Sequence, residues 1–593
     1  MDNLLQILRV GSQEQVAKEL ASFYTNFSTV TLVKGEFTGK QAIMEELFRL
    51  VRDPDMANLC PLALQVMRVF TREPAIAETQ FNSDRIETLL HLAMLVGEEE
   101  AFMTENSQSF DVKIVVEAQK CLTNLLSLSA KVRRICSNNS CVEGIMLRLR
   151  IHPDPKLPQE VKYFDMVALF LLTALCSELR GKVQNNYHGL IYLMEAIDLI
   201  LKNNAEYLAE TVPSKNKRRS KGSRRGRKSA QSTENGDNGK EEASDGRLDD
   251  TLVAYCLDDW EANLAIQILK VLYNLNIDLD NREVDEVEEA HFFRLVSILH
   301  DLMLCDTKNP AKKEDLQSQV VNLLTLMPIK SYEELLSNVA DLGKPENPEH
   351  EYNEMNMEVI AVLCKFLEKR LQEETASSSP ERLLGILGVM YKASKSCSTT
   401  RKFLRYRILP PLREADLQQR PEVGNLPRNR LVRLMASSND TISQLAINFI
   451  WSLCKSNRNR FVKYVGYGNA AGHLARIGRM AGEMPATYSS DSDDSETDEY
   501  VQNVDRINPV TGHIQELAPN PMEGMSEEQK EYEANQLVNL IDQMQRTGII
   551  QPCRIGEDGR PVPIEHVLEL QSNAEINNGP STSGLQRHNS DSD

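Results

Sequence analysis

Apolar positions recur at helical spacing from residue 1 to about 480. In the stretch 115–126, Val115, Val116, Ala118, Cys121, Leu122, Leu125 and Leu126 are three or four apart and share one helical face. The same pattern returns at 264–275, 320–326, 359–367 and 445–453. Alternating runs of period two are short and rare. Many apolar helices with short polar joins predict an all-α chain built by helix-on-helix packing.

Several of these helices resemble one another. Asn124, Asn274, Asn322 and Asn448 each sit inside an apolar helical run. Asn274 and Asn322 are 48 apart, Asn322 and Cys364 are 42 apart, and Cys364 and Asn448 are 84 apart, twice 42. These spacings fall near the period of roughly 40–47 residues of armadillo and HEAT arrays. An amide in such a row can hold a neighbouring repeat's backbone, or a peptide in the groove, by paired hydrogen bonds. Alternatively, each asparagine faces solvent at a helix end. The expected fold is an armadillo/HEAT superhelix over 1–482, followed by a disordered acidic linker and one amphipathic helix.

Two segments break the pattern. Residues 213–248 hold Lys215, Lys217, Arg218, Arg219, Lys221, Arg224, Arg225, Arg227 and Lys228, then an acidic polar stretch with almost nothing apolar. This composition predicts a disordered insertion. It reads either as a solvated loop or as a patch for nuclear import or an anionic surface. The second break, an acidic linker over 483–525, contains the serine-rich run Tyr488 to Tyr500. Ser490 and Ser495 each have an aspartate three residues on, the context an acid-reading protein kinase uses. Phosphate there would add about −1.5 to −2 charges per site.

Beyond the linker, Ser526 and Gln529 form a capping box. Ala534, Leu537, Val538, Leu540, Ile541 and Met544 then make an apolar face, and Gly548 stops a helix over 526–548. This helix either docks on its own array or grips a partner. Residues 549–593 read as a polar, mostly disordered tail.

Charge and chemistry narrow the function classes. The 593 residues include 86 acidic and 67 basic ones, a formal net charge of −19, which disfavours a nucleic-acid binder. Eleven cysteines without a Cys-x-x-Cys pair, several in apolar settings, predict buried free thiols in a reducing compartment. No signal peptide is evident at Met-Asp-Asn-Leu-Leu. The longest apolar-rich run, Met166 to Cys176, is 11 residues, too short for a transmembrane segment. A cytoplasmic protein is expected, with recruitment to the plasma membrane or cell cortex, and peripheral membrane association, left open. No metal or cofactor site is expected. His350-Glu-Tyr-Asn-Glu354 opens like a metalloprotease helix but lacks the second histidine. Gly466-Tyr-Gly468-Asn-Ala-Ala-Gly472 approximates a phosphate loop, yet reads better as a tight turn between helices. An interaction protein is therefore favoured over an enzyme.

Residues 458–472, the acidic serine run, Ile507-Asn-Pro-Val-Thr-Gly512 and Asn520-Pro-Met-Glu-Gly-Met-Ser-Glu-Glu-Gln-Lys530 resemble the synembryn (resistance to inhibitors of cholinesterase) family. Arg401-Lys-Phe-Leu404 and Leu409-Pro-Pro-Leu-Arg413 add to the likeness, which extends over most of the chain. The insertion 213–248 looks peculiar to this member.

The resemblance implies a cytosolic chaperone and non-receptor guanine-nucleotide exchange factor for heterotrimeric G-protein α subunits. Its concave face would take the α subunit's C-terminal helix, so that GDP leaves and the nucleotide-free state is stabilised. By the same resemblance, Arg68 and Arg72, four apart on one helical face, would meet the end of that helix. Asn124, Phe164, Phe170, Lys270, Tyr273 and Asn274 would line its path, with Tyr273 standing where the family pattern suggests phenylalanine. Ser490 and Ser495 match the family's phosphorylated positions, and Arg401, Lys402 and Arg405 would receive the phosphates. Leu537, Val538 and Ile541 of the last helix would reach the body of the α subunit. The alternative is an armadillo-type peptide-binding scaffold or transport adaptor without exchange activity.

Overall fold

The computed structural model describes residues 2–30, 37–99, 111–207, 253–278, 285–339, 345, 347–373, 380–480, 497–515, 522, 524–556 and 560–564. The insertion 213–248, both Ser490 and Ser495, and the end of the tail lie outside the described residues. The chain divides into two compact units, Met1–Leu363 and Cys364–Asp593, where the sequence pattern suggested one array over 1–482.

The first unit is a row of helices: α1 (Gln13–Phe27), α2 (Cys60–Phe70), α3 (Val112–Leu128), α4 (Gln159–Leu175), α5 (Asp259–Asn276) and α6 (Pro310–Leu324). Each packs on the next. The helices Phe37–Arg52, Ser83–Leu92, Cys141–Arg150, Gly189–Asn203 and Glu286–Leu304 form a second layer against this row. The apolar periodicity is what buries: α3 turns Val115, Val116, Ala118, Cys121, Leu122, Leu125 and Leu126 inward. Each large aliphatic side chain so buried contributes about 1.5–3 kcal/mol.

Side chains fix where these helices start and stop. Ser12 and Gln15 cap α1 reciprocally, Asp258 and Glu261 do the same for α5, and Asn309 with Pro310 opens α6. Arginines close the other ends. Arg133 donates to the carbonyls of Leu126 (2.8 Å) and Ser127 (3.2 Å) at the end of α3. Arg180 donates to Thr173 O (2.9 Å) at the end of α4. Both are cations at the negative helix pole, and Arg133 and Arg180 are 47 residues apart, one repeat.

The described strands are short. Ala205–Tyr207 pairs antiparallel with Val253–Leu257, with Ala205 opposite Tyr255, and Val253–Leu257 runs parallel to Asp306–Thr307. The described segments on either side of the insertion are thus paired side by side. The His350–Glu354 segment is no zinc-binding helix. It forms a hairpin, Glu351–Tyr352 against Met355–Asn356, and Asn353 (φ 51°) and Glu354 (φ 62°) make its left-handed turn. The thiols are free, and most are buried. Burial pushes Cys60, Cys305 and Cys364 up to about 12.

In the second unit α7 (Pro380–Ser396), α8 (Ser398–Ile408) and α9 (Asp440–Leu453) pack mutually. Residues 497–515, expected to belong to a disordered linker, are folded here. Thr497 caps the helix Asp498–Asn503 and donates to Leu412 O at 2.5 Å. Lys463 lies 4.1 Å from the centroid of the Tyr500 ring. The strap ends in the glycine-rich turn. Tyr467 N donates to Pro509 O (2.9 Å) and Gly468 N to Val510 O (2.8 Å). The first amides of the helix Tyr467–Arg476 thus receive the chain's own carbonyls, not a phosphate. Gly466 has φ +79°, and a Cβ on it would sit 3.2 Å from Val510 O. The last helix, α10 (Glu527–Arg546), carries the Ser526–Gln529 capping box as expected.

Gly466→Ala forces an L side chain into the left-handed region at a cost on the order of 1–2 kcal/mol and pushes on the strap. Limited proteolysis should cut the variant faster within 497–515 than the wild type. Equal cleavage rates would show that the turn does not hold the strap.

Candidate functional site

The candidate residues of the first unit lie along the row α2–α5, half-buried except Asn274, which is buried: Arg68 on α2 with Arg72 just beyond it, Asn124 on α3, two on α4 and three on α5. Arg68, in the last turn of α2, is oriented from two sides. Its Nε lies 3.1 Å from Glu117 Oε2 on α3, and an NH2 proton goes to the Tyr24 hydroxyl on α1. The guanidinium also lies 5.5 Å from the centroid of the Tyr24 ring, close enough for a cation–π contact. Arg72 corrects the expectation of a shared helical face. The helix ends at Phe70, because the residue before Pro74 is driven to extended backbone (Glu73, φ −88°, ψ 117°). Arg72 therefore leaves the helix and donates to the carbonyls of Ser28 (2.6 Å) and Val30 (3.2 Å).

Glu117 is also 3.3 Å from Lys120, which bonds Glu160 of α4 at 3.0 Å and lies 5.4 Å from the Phe164 centroid. From the other side, Lys270 of α5 lies 5.5 Å from the Phe170 centroid. Each aromatic of α4 thus faces a lysine from a different neighbour. Burial lowers the pKa of Lys270, partly opposed by Asp315. Phe164 rests on the buried cluster of Val115, Val116 and Val161. Tyr273 is half-buried on α5. Beneath this face Asp165 takes hydrogen bonds from Gln119 (2.7 Å) and Arg148, and Arg148 donates to Ala93 O (2.7 Å). Burial raises the carboxyl of Asp165 against the pull of Arg148.

The asparagine ladder is real at two of its four positions. Asn124 Nδ2 donates to Thr71 Oγ1 (3.1 Å) and Arg68 O (3.4 Å) of α2. Asn274 Nδ2 donates to Thr173 Oγ1 (3.0 Å) and Phe170 O (3.2 Å) of α4. In both, the receiving hydroxyl turns back on that same carbonyl. Asn322 is exposed and bonds Gln319 on its own helix, and Asn448 accepts from Gln444 on its own helix. The crossing requires a hydroxyl near the end of the facing helix, and α5, next to Asn322, has no serine or threonine. In the second unit the α7–α9 crossing passes between two hydroxyls, Ser394 to Ser452 at 2.7 Å.

Sequence reasoning missed Tyr24, Glu117, Lys120 and Glu160. Their one visible trace was the three-residue spacing of Glu117 and Lys120, which suits a helical ion pair.

In the second unit Arg401 and Arg405 are one turn apart on α8, with Lys402 beside them, all half-buried. No side chain of α10 is buried: Leu537 is 58% exposed and Leu540 54%, while Val538 and Ile541 are half-buried. Gln545 ties the helix to Ile564 O (3.2 Å) beside the hairpin Cys553–Ile555 and Pro561–Pro563. Its apolar face is therefore largely uncovered by the described residues of its own unit.

The family model for the guanine nucleotide exchange factor synembryn (Ric8) matches residues 63–233 and 247–560. The chain belongs to the synembryn family. A Xenopus laevis relative, chaperone Ric-8A, is 34% identical over 567 residues, covering 95% of this chain and 96% of the relative. The zebrafish (Danio rerio) chaperone Ric-8A is 32% identical over 589 residues, covering 98% and 99%. Among solved structures, SYS-1 aligns with a TM-score of 0.33 at 12% identity, over 76% of this chain and 69% of that one.

In this synembryn, Asn274→Ala removes a crossing bond at a site 7% exposed and should destabilise by about 1 kcal/mol. Asn322→Ala, at an exposed site, should stay within about 0.5 kcal/mol of wild type. Denaturant unfolding followed by circular dichroism measures both. Equal losses would refute the assignment of a crossing bond to Asn274 and not to Asn322.

Proposed function

We propose that this chain is an exchange factor and folding chaperone for heterotrimeric G-protein α subunits. Membership of the synembryn family supports the general role. The residues along α2–α5 support its finer form, in which the C-terminal helix of the α subunit lies along that row. Phe164 and Phe170 offer apolar anchors, Arg68 and Lys270 supply cations, and Arg72 stands at the end where the helix would terminate. Aromatic and arginine side chains in half-buried settings are the usual carriers of interface energy.

In this reading no bond is made or broken by the chain. It binds the α subunit with its last helix drawn away more tightly than the closed, GDP-bound form. That difference in affinity shifts the population toward the open state, and GDP leaves. The uncovered face of α10, Leu537, Val538 and Ile541 with Leu540, makes a second contact on the α subunit. Phosphate on Ser490 and Ser495 is received by Arg401, Lys402 and Arg405 of α8 through charge-assisted bonds.

The deciding experiment measures GDP release from a purified α subunit with and without the full chain. Acceleration is expected; binding without acceleration would favour a peptide-binding scaffold instead. Truncation before Ser526 should weaken α-subunit affinity by more than about tenfold, roughly 1.4 kcal/mol. An unchanged dissociation constant would remove α10 from the interface. Replacing both Ser490 and Ser495 by alanine should slow exchange relative to phosphorylated wild type while circular dichroism stays the same. Equal exchange rates would disconnect the serines from function.

A further inference from the structure

Arg68 and Arg72 are both already occupied, and by one neighbour. Arg68 donates to the Tyr24 hydroxyl, and Arg72 to the carbonyls of Ser28 and Val30. Tyr24 is in the last turn of α1, Ser28 is its C-cap, and the Ser28 amide closes that turn on Tyr24 O at 2.7 Å. A helix C-terminus, the negative end of a helix dipole, therefore sits on both arginines. The Arg68 side chain keeps 17% of its surface exposed, so it is open to exchange of partners from solvent.

We propose that the end of α1 is a resident stand-in for the helix terminus this face takes from its partner, and that Tyr24 sets how readily the partner displaces it. The inference rests on the reading above that Arg68 and Arg72 receive the α subunit's C-terminal helix. The incoming terminus carries what the resident one carries, backbone carbonyls at a helix end, and adds a full carboxylate. A carboxylate adds to the hydrogen bond the attraction of a full opposite charge and can take a guanidinium in a two-pronged pair, which a neutral hydroxyl or carbonyl does not offer. The partner therefore wins the exchange, but its net gain is reduced by the bonds it breaks. Tyr24 is the neutral side-chain acceptor among those resident groups. The Glu117 contact on the opposite edge of Arg68 remains through the exchange and keeps the guanidinium in register.

Tyr24→Phe keeps the ring beneath Arg68 and deletes only the hydroxyl. It removes one bond that stabilises the free protein and one that the partner must break. Thermal stability and partner affinity should therefore move in opposite directions. A purely structural tyrosine would lower both.

The test is a fluorescence-anisotropy titration of the full-length chain, wild type and Tyr24→Phe, with a labelled synthetic peptide of the α subunit's C-terminal helix bearing a free carboxylate. Melting temperatures are recorded in parallel. The variant should bind about threefold to tenfold more tightly while melting below the wild-type temperature. Unchanged or weaker binding by the variant, beside a wild type that binds, overturns this inference alone. A wild type that does not bind the peptide overturns the reading of the face, and this inference with it. A second variant, Glu117→Gln, guards against misreading Tyr24→Phe as a general loosening of Arg68. It should not reproduce the gain, and a gain of equal size would overturn the assignment to Tyr24.

Discussion

The architecture of the first unit depends on how one long helix meets the next. Apolar packing brings α2 to α3 and α4 to α5, but it is non-directional and tolerates sliding by a turn. The crossing bonds of Asn124 and Asn274 do not. Each amide reaches a carbonyl and a hydroxyl that are themselves bonded, so three polar groups satisfy one another at one register only. Left unpaired, such half-buried groups would cost about 1–3 kcal/mol each. Arg133 and Arg180 fix the ends of the same helices.

Once register is set, the exposed edge of the row acquires its pattern without further instruction. Arg68, Lys120 and Lys270 each find a partner on an adjacent helix, whether a carboxylate or an aromatic ring. The cations are thus distributed across helices rather than carried on any one of them. The seam from Tyr24 through Arg68, Glu117 and Lys120 to Glu160 joins four successive helices. A ligand lying along the row meets groups whose positions are mutually dependent.

Much of this was legible beforehand, and the failures have specific causes. Helical periodicity marked α3 and α5, and the capping box at Ser526 marked α10, because both signals are local. Arg72 was placed one turn too far into a helix because a spacing of four was read without weighing Pro74 and its effect on Glu73. The asparagine ladder was half right because half of each crossing belongs to another helix. Only the presence of Thr71 and Thr173, and the lack of any serine or threonine on α5, separates Asn124 and Asn274 from Asn322. Tyr24 and Glu117 were invisible because their meaning comes from Arg68, 44 and 49 positions away. The strap at 497–515 looked too polar to fold because its support is supplied by Leu412, Lys463 and the glycine-rich turn.

The strand pairing of Ala205–Tyr207 with Val253–Leu257 decouples what it encloses from the array. Closing a loop costs entropy that grows only logarithmically with its length, about 0.6 kcal/mol per doubling. With Ala205–Tyr207 and Val253–Leu257 held in register, a change in the number of residues joined between them costs the neighbouring repeats little. That joint is accordingly where an engineer would splice in a reporter or tether.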